Sequence, residues 1–168
     1  MPDPMERMLR EIEGALAARL YYLALALTLA LPDICGALEA EDGWAKPDRY
    51  RAWYEENLVD EFRNLTAADC YRLRCGGIHQ GRFGRPEMQY ARVLFVLPHA
   101  QGTVFEDCIM GDAYFVSAQE FCRTVIAKVR NWADGKRDDA TVRANLSRLV
   151  TLYPDGLAPY AKGIPLIG

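Results

Sequence analysis

Arg74 and His79 are the two residues whose types and spacing could carry chemistry. His79 is one of only two histidines in the chain, and four residues separate it from Arg74. A guanidinium is forked and permanently cationic, whereas an imidazole exchanges its proton near neutral pH. Together the two side chains could grip a phosphodiester and move a proton on it. Because short spacings of this kind also arise by chance, an unrelated arginine and histidine are the competing interpretation.

The segment from 71 to 92 is basic, although the whole chain carries a net charge of −3. Its arginines are Arg72, Arg74, Arg82, Arg85 and Arg92, and its one acidic residue is Glu87. A small basic site on an acidic body is typical of a selective phosphate binder. We therefore predict that Arg72, Arg82 and Arg85 bind the substrate beside the catalytic pair, with a solvated loop as the alternative.

Apolar residues that recur every three or four positions predict a mainly α-helical protein. The predicted helices cover 4–31, with a further turn at 34–39, then 46–58, 67–75, 117–133 and 139–152. The first helix is expected to end at Pro32, because proline interrupts helices. Gly76–Gly77 should weaken or end the third, so that His79 lies just after its end or on an irregular last turn. Residues five apart on an ideal helix lie about 140° apart. The glycines would let the chain turn so that His79 approaches Arg74.

A different pattern between 91 and 116 predicts a small antiparallel hairpin or sheet inserted among the helices. Its expected strands are 91–97, 103–109 and 113–116. Before it, Tyr50, Trp53 and Tyr54 form an aromatic stripe on a helix, which favours the core over a stacking platform for bases. The length of 168 residues favours one helical domain over residues 1–168.

Five cysteines without a CxxC pair favour a reducing compartment, and the expected location is the cytoplasm. The uncharged run from Leu20 to Leu31 has 12 residues, well below the roughly 20 that a membrane span needs. It is therefore interpreted as a buried helix. The sequence has no HExxH or paired DxD motif, so no metal or other cofactor is expected.

The segment from Leu73 to Gly81 resembles the arginine-to-histidine motif of the HEPN superfamily of small helical proteins. A long apolar helix and a second helix with tyrosine and tryptophan precede the motif, as they do in that superfamily. The resemblance covers roughly residues 5–82 and the final helices. It implies a HEPN-like helical bundle, with residues 91–116 as an insertion and with Arg74 and His79 as the catalytic pair. Many members carry a polar residue directly after the arginine, whereas this chain has Cys75.

The resemblance also implies an activity and partners. HEPN proteins are commonly metal-independent endoribonucleases that act on RNA in toxin–antitoxin and anti-phage systems. Their site is usually built across a homodimer, which brings two arginine–histidine pairs together. An antitoxin or another defence-system protein is the implied further partner. Some members are inactive, so a non-catalytic interaction or scaffold module of a defence or regulatory complex is the alternative function.

Overall fold

The computed structural model describes residues 3–83, 87–99 and 107–168. The protein is mainly α-helical with a small sheet, as predicted. The helices of this described part are α1 (Pro4–Ala17), α2 (Tyr21–Leu38), α3 (Pro47–Asn57), α4 (Ala67–Gln80), α5 (Ala118–Gly135) and α6 (Ala140–Leu146). Its strands are β1 (Arg92–Val96), β2 (Cys108–Met110), β3 (Ala113–Ser117), β4 (Leu152–Tyr153) and β5 (Leu166–Ile167).

The predicted long first helix is wrong, because the chain forms two helices that separate at residues 18–20. Arg19 has a φ of 60° there, a left-handed conformation that ends α1. Pro32 does not end α2 but lies inside it. Proline in a helix interior costs about 3 kcal/mol or more. Since α2 packs against α1 and against α3, α4, α5 and α6, its burial outweighs that cost.

Helix α4 begins as predicted, since the Thr66 hydroxyl accepts a hydrogen bond from the Asp69 amide at 3.1 Å. Its predicted end at Cys75 is wrong, because the helix continues through Gly76 and Gly77. It ends at Gly81, which has a φ of 65° and so takes the left-handed capping conformation. A Cβ atom at Gly76 would collide with the Arg82 carbonyl oxygen. The paired glycines therefore allow the returning chain to approach the helix.

The predicted small sheet is present, but it is mixed rather than antiparallel. Strand β3 lies in the centre, parallel to β1 and antiparallel to β2. The predicted strand at 103–109 is described only from residue 107, and 103–106 lie outside the described residues. Ser117 ends β3 and caps α5, with its hydroxyl accepting from the Glu120 amide at 3.2 Å. This direct connection fixes the sheet against the helices.

The aromatic stripe of α3 lies in the core, as predicted. Tyr50, Trp53 and Tyr54 are at most 1% exposed. The two phenol groups are satisfied by carbonyl oxygens, with Tyr50 donating to Leu29 at 3.1 Å and Tyr54 donating to Leu65 at 2.7 Å. These bonds tie α3 to α2 and to the loop before α4, the two elements that position Arg74.

Helix α6 is shorter than the predicted helix at 139–152. Beyond it, the antiparallel pair β4–β5 closes the C-terminal segment. Helix α2 has the length and composition of a membrane span, with a mean hydropathy of 1.6 over 18 residues. Within the described structure, 56% of this window is buried. Its C-terminal half packs in the core, whereas Leu20, Leu23 and Leu27 around its start are exposed. The prediction of a buried helix from Leu20 to Leu31 is therefore only partly correct.

Candidate functional site

Arg74 and His79 meet at the C-terminal end of α4. The Arg74 Nη1 atom lies 3.4 Å from the His79 Nε2 atom. His79 is exposed in the last turn of the helix, whereas Arg74 is half-buried. The proximity predicted from the sequence is correct, but its predicted cause is wrong. The helix does not turn at the glycines, and the long arginine side chain spans the angle between the two positions.

Asp33 anchors Arg74 from the neighbouring helix. Its Oδ2 atom forms an ion pair with the Arg74 Nε atom at 2.5 Å, without the alignment of a hydrogen bond. The guanidinium also lies over the Tyr71 ring, with its central carbon 5.9 Å from the ring centroid. Its Nη1 atom lies 3.8 Å from the Cys75 Sγ atom. One side of the guanidinium is thus held by α2, and Nη1 is directed towards His79.

The Asp33 carboxylate is 6% exposed, and this environment changes its affinity for protons. Burial raises the pKa of Asp33, and the opposing effect of the nearby Arg74 charge is smaller. At Arg74, burial acts to lower the pKa, but the Asp33 carboxylate and the Cys75 thiol outweigh it, so the pKa is raised. Arg74 therefore remains a cation throughout the physiological pH range.

The three predicted substrate-binding arginines do not all join this pair. The Arg72 Nη1 atom forms an ion pair with the buried Asp69 at 3.3 Å. Arg82 is exposed just beyond the end of α4. Arg85 lies outside the described residues. Of the described arginines in this segment, only Arg74 reaches His79, while Arg82 continues the basic surface along the chain.

Two residues that support the site carry no signal in the sequence. In the sequence, Asp33 follows Pro32 and is part of a predicted helix break. Only the packing of α2 on α4 brings its carboxylate to Arg74. Tyr22 donates its hydroxyl to the Gly77 carbonyl oxygen at 2.8 Å. This bond joins the start of α2 to the turn of α4 that carries His79. Each contact links residues far apart in the sequence, so local spacing could not reveal them.

No group of three or more His, Cys, Asp and Glu side chains placed to hold a metal ion occurs in the described ranges. At the exposed end of α4, Arg74 and His79 place a guanidinium beside an imidazole. A scan of known protein families, a search of curated proteins and a search of solved structures each found no match to this chain.

Proposed function

We propose that the protein is a HEPN-like, metal-independent endoribonuclease with Arg74 and His79 as its catalytic pair. The observation that carries this proposal is the 3.4 Å separation between the arginine Nη1 and histidine Nε2 atoms at an exposed helix end. A phosphate seated at this end can contact both side chains. The expected setting is a toxin or phage-defence system in the cytoplasm, with an antitoxin or defence protein as a further partner.

The chemistry follows from the two side chains. A ribose 2′-hydroxyl attacks the adjacent phosphorus, an oxygen–phosphorus bond forms, and the bond to the 5′-oxygen of the next nucleotide breaks. The products carry a 2′,3′-cyclic phosphate and a 5′-hydroxyl. His79 moves a proton to or from the reacting oxygens, an effect typically about 10²–10⁴-fold. Arg74 stabilises the charge that builds on the non-bridging oxygens.

One histidine cannot remove a proton from the attacking oxygen and protonate the leaving oxygen in the same step. A homodimer supplies the second group as His79 of the partner subunit. An apolar stripe at the start of α2 supports this assembly. It is formed by the N-cap Leu20 with Leu23 and Leu27, which are 54%, 49% and 36% exposed. Ile78, next to His79, is also exposed. Pairing along these residues would bring two sites together.

The same apolar stripe favours the second candidate function, a non-catalytic interaction module of a defence or regulatory complex. In that case Leu20, Leu23 and Leu27 bind a partner protein, and Arg74 serves mainly to hold α2 against α4 through Asp33. The two functions differ in what loss of the exposed His79 imidazole does. It abolishes cleavage in the first case and leaves the partner bound in the second.

Cleavage of a labelled RNA, in the presence of a chelator, tests the proposal. We expect His79→Ala and Arg74→Ala each to lose activity, and the wild type to leave cyclic-phosphate ends. His99→Ala is the matched control, because it removes the chain's other exposed histidine and should cleave normally. Equal cleavage by wild type and His79→Ala would overturn the site. Absence of cleavage by the purified wild-type dimer would favour the interaction module.

A further inference from the structure

A pocket of about 430 Å³ lies directly beside the candidate site, and Arg74 forms part of its wall. The C-terminal half of α2 provides an apolar side through Ala30, Ile34 and Ala37, and Leu149 adds to it after α6. The loop between α2 and α3 closes the rim with Trp44. Its volume is within the range of small-ligand pockets, about 300–1,000 Å³.

Trp44 is exposed but its backbone is fixed. Trp44 is 72% exposed to solvent. Its amide donates to the Asp42 Oδ1 atom at 3.1 Å, and its carbonyl oxygen accepts from the Arg49 Nη1 atom at 2.7 Å. Asp42 in turn forms ion pairs with Arg49 and Lys46. These bonds position the Trp44 backbone, and its exposed aromatic side chain lines the pocket, where it is available to stack.

The side of the pocket that α6 contributes is also held in place. Asn145 is buried, and its Nδ2 atom donates to the carbonyl oxygens of Leu38 at 3.0 Å and Ala40 at 2.9 Å. A Cβ atom at Gly43 would lie 3.0 Å from the Asn145 Oδ1 atom, so the loop approaches this amide closely. The exposed Arg148 guanidinium lies 3.5 Å from the same oxygen. Within the described residues Arg148 contacts the neutral Asn145 and belongs to no ion pair, which leaves a cation at the pocket edge.

An aromatic face, an apolar wall and a cation at the edge together suit an aromatic nitrogen heterocycle that carries a phosphate. Single-stranded RNA presents such groups, because its unpaired bases can be splayed out and stacked on aromatic side chains. We propose that this pocket receives one unpaired base of the RNA whose scissile phosphate is bound by Arg74 and His79. Trp44 stacks on the base, and Arg148 binds a neighbouring phosphate.

This inference rests on the proposed function, because Arg74 is the residue that the pocket and the catalytic pair share. It adds a substrate class, which is RNA with an unpaired nucleotide at the cleavage position. A base held in a duplex cannot enter a pocket of this kind without leaving its stack. A free nucleotide offers the same chemistry, so the experiment must separate these two sources.

The test compares binding of a single-stranded RNA, a duplex of the same sequence, and the four nucleoside monophosphates. RNA binding is measured in a His79→Ala background, which prevents cleavage. We expect Trp44→Leu to weaken single-strand binding about tenfold, since stacking on an aromatic side chain contributes about this much per base. Tyr160→Leu is the matched control, because Tyr160 is 83% exposed and does not line the pocket. It should bind like the parent.

The phosphate contact has its own test. Arg148→Met should weaken RNA binding and reduce the slope of log affinity against log salt by about one. Trp44→Leu should leave that slope unchanged, because stacking releases no counterions. Arg143→Met, which removes another exposed arginine from α6, should have neither effect. Equal losses in the Arg148 and Arg143 variants would overturn the role of Arg148.

The outcomes separate the pocket from the proposed function. If cleavage depends on His79 while Trp44→Leu and Tyr160→Leu bind single strands alike, the pocket inference is overturned and the nuclease stands. If the protein neither binds nor cleaves RNA but binds a monophosphate through Trp44, the nuclease is overturned and the pocket is a free-nucleotide site. Equal affinity of the His79→Ala parent for duplex and single strand would also overturn the unpaired-base requirement.

Discussion

Arg130 and Arg74 each join two helices through carboxylates, but they use their hydrogen-bond donors differently. Arg130 of α5 binds Glu6 and Glu13 of α1, with all three guanidinium nitrogens engaged at 2.7–3.0 Å. Arg74 instead has one ion pair with the buried Asp33 and directs Nη1 towards His79. All the guanidinium nitrogens of Arg130 are bonded to carboxylates of the protein. Arg74 keeps Nη1 at the exposed end of α4, beside His79, where it can bind another group.

The acidic partners show the same contrast. Hydrogen bonds from Arg130 lower the pKa of both Glu6 and Glu13. Burial raises the pKa of Asp33 in spite of Arg74. A carboxylate whose pKa is lowered on folding stabilises the protein when it is charged, and one whose pKa is raised does not. The partly exposed clamp at Arg130 thus favours folding, whereas the buried Asp33 carboxylate holds the Arg74 cation beside His79.

The largest expected effect separates the two arginines by activity. Arg74→Lys should lower the rate of RNA cleavage about 10²–10³-fold, because an ammonium cannot reproduce the forked donors at the developing charge. Arg130→Lys should cleave at the wild-type rate, since it lies outside the site. Single-turnover cleavage measures both variants. A comparable loss in the two would show that Arg74, like Arg130, acts only through the fold.

The next largest effect is a change in stability at two glycines, one near Arg74 and one near the partners of Arg130. Gly76→Ala should destabilise the protein by about 1–3 kcal/mol, because its Cβ would collide with the Arg82 backbone. Gly14 follows Glu13 on α1, and a Cβ atom added there would meet no other element within 4 Å. Gly14→Ala should therefore stabilise by about 0.5–1 kcal/mol. Chemical denaturation measures both, and equal effects would contradict the close approach at α4.

The Arg130 clamp should give a smaller, pH-dependent effect. Its partners are partly exposed, so Arg130→Met should lower stability by about 1 kcal/mol at neutral pH, or Tm by about 2–4 °C. Because folding lowers the pKa of Glu6 and Glu13, their contribution is present above the ordinary glutamate pKa and is lost as pH falls. Thermal melts should show the gap closing in acid. A gap independent of pH would contradict this origin.

The smallest change in stability is expected at Asp33. Asp33→Asn removes both the ion pair with Arg74 and the larger desolvation penalty that raises the pKa of Asp33. Because the two effects oppose each other, the free energy of unfolding should change by less than about 1 kcal/mol. Folding raises the pKa of Asp33. The wild type should therefore lose stability relative to Asp33→Asn as the pH rises from the ordinary aspartate pKa through the raised pKa of the folded protein. Denaturation between acid and neutral pH tests both points. A large loss at neutral pH would show that the pair is structural.

The helical fold class, several helix starts and the first contact of the site could be predicted because they depend on local spacing. The Thr66 and Ser117 caps follow from residues three positions apart, and Arg74 and His79 lie on one helix. The prediction was wrong at the glycines. Gly76 is needed because the chain returns at Arg82 and packs against the helix there, with no room for a Cβ atom. Pro32 misled the prediction because tertiary burial of α2 overrides the local preference.

The rest of the site depends on contacts that spacing cannot encode. Asp33 reaches Arg74 only because α2 packs on α4. The sequence correctly predicted that the aromatic residues of α3 lie in the core. It gave no indication that Trp44, in the loop before α3, lines a pocket. Its exposure follows from the Asp42–Arg49 network that shapes that loop. The parallel pairing of β1 with β3 joins strands that are not consecutive in the chain, so local spacing could not show it either.

The hydroxyl of Tyr22 has a consequence for motion. Its bond to the Gly77 carbonyl oxygen ties the His79 turn to the start of the central helix α2. Local opening of a helix end normally requires little free energy, since its last carbonyls have few partners. Here, fraying back to Gly77 also requires release from α2. This bond therefore joins α4 as far as Gly77 to the core, and it limits the segment that can fray freely to the two or three residues around His79.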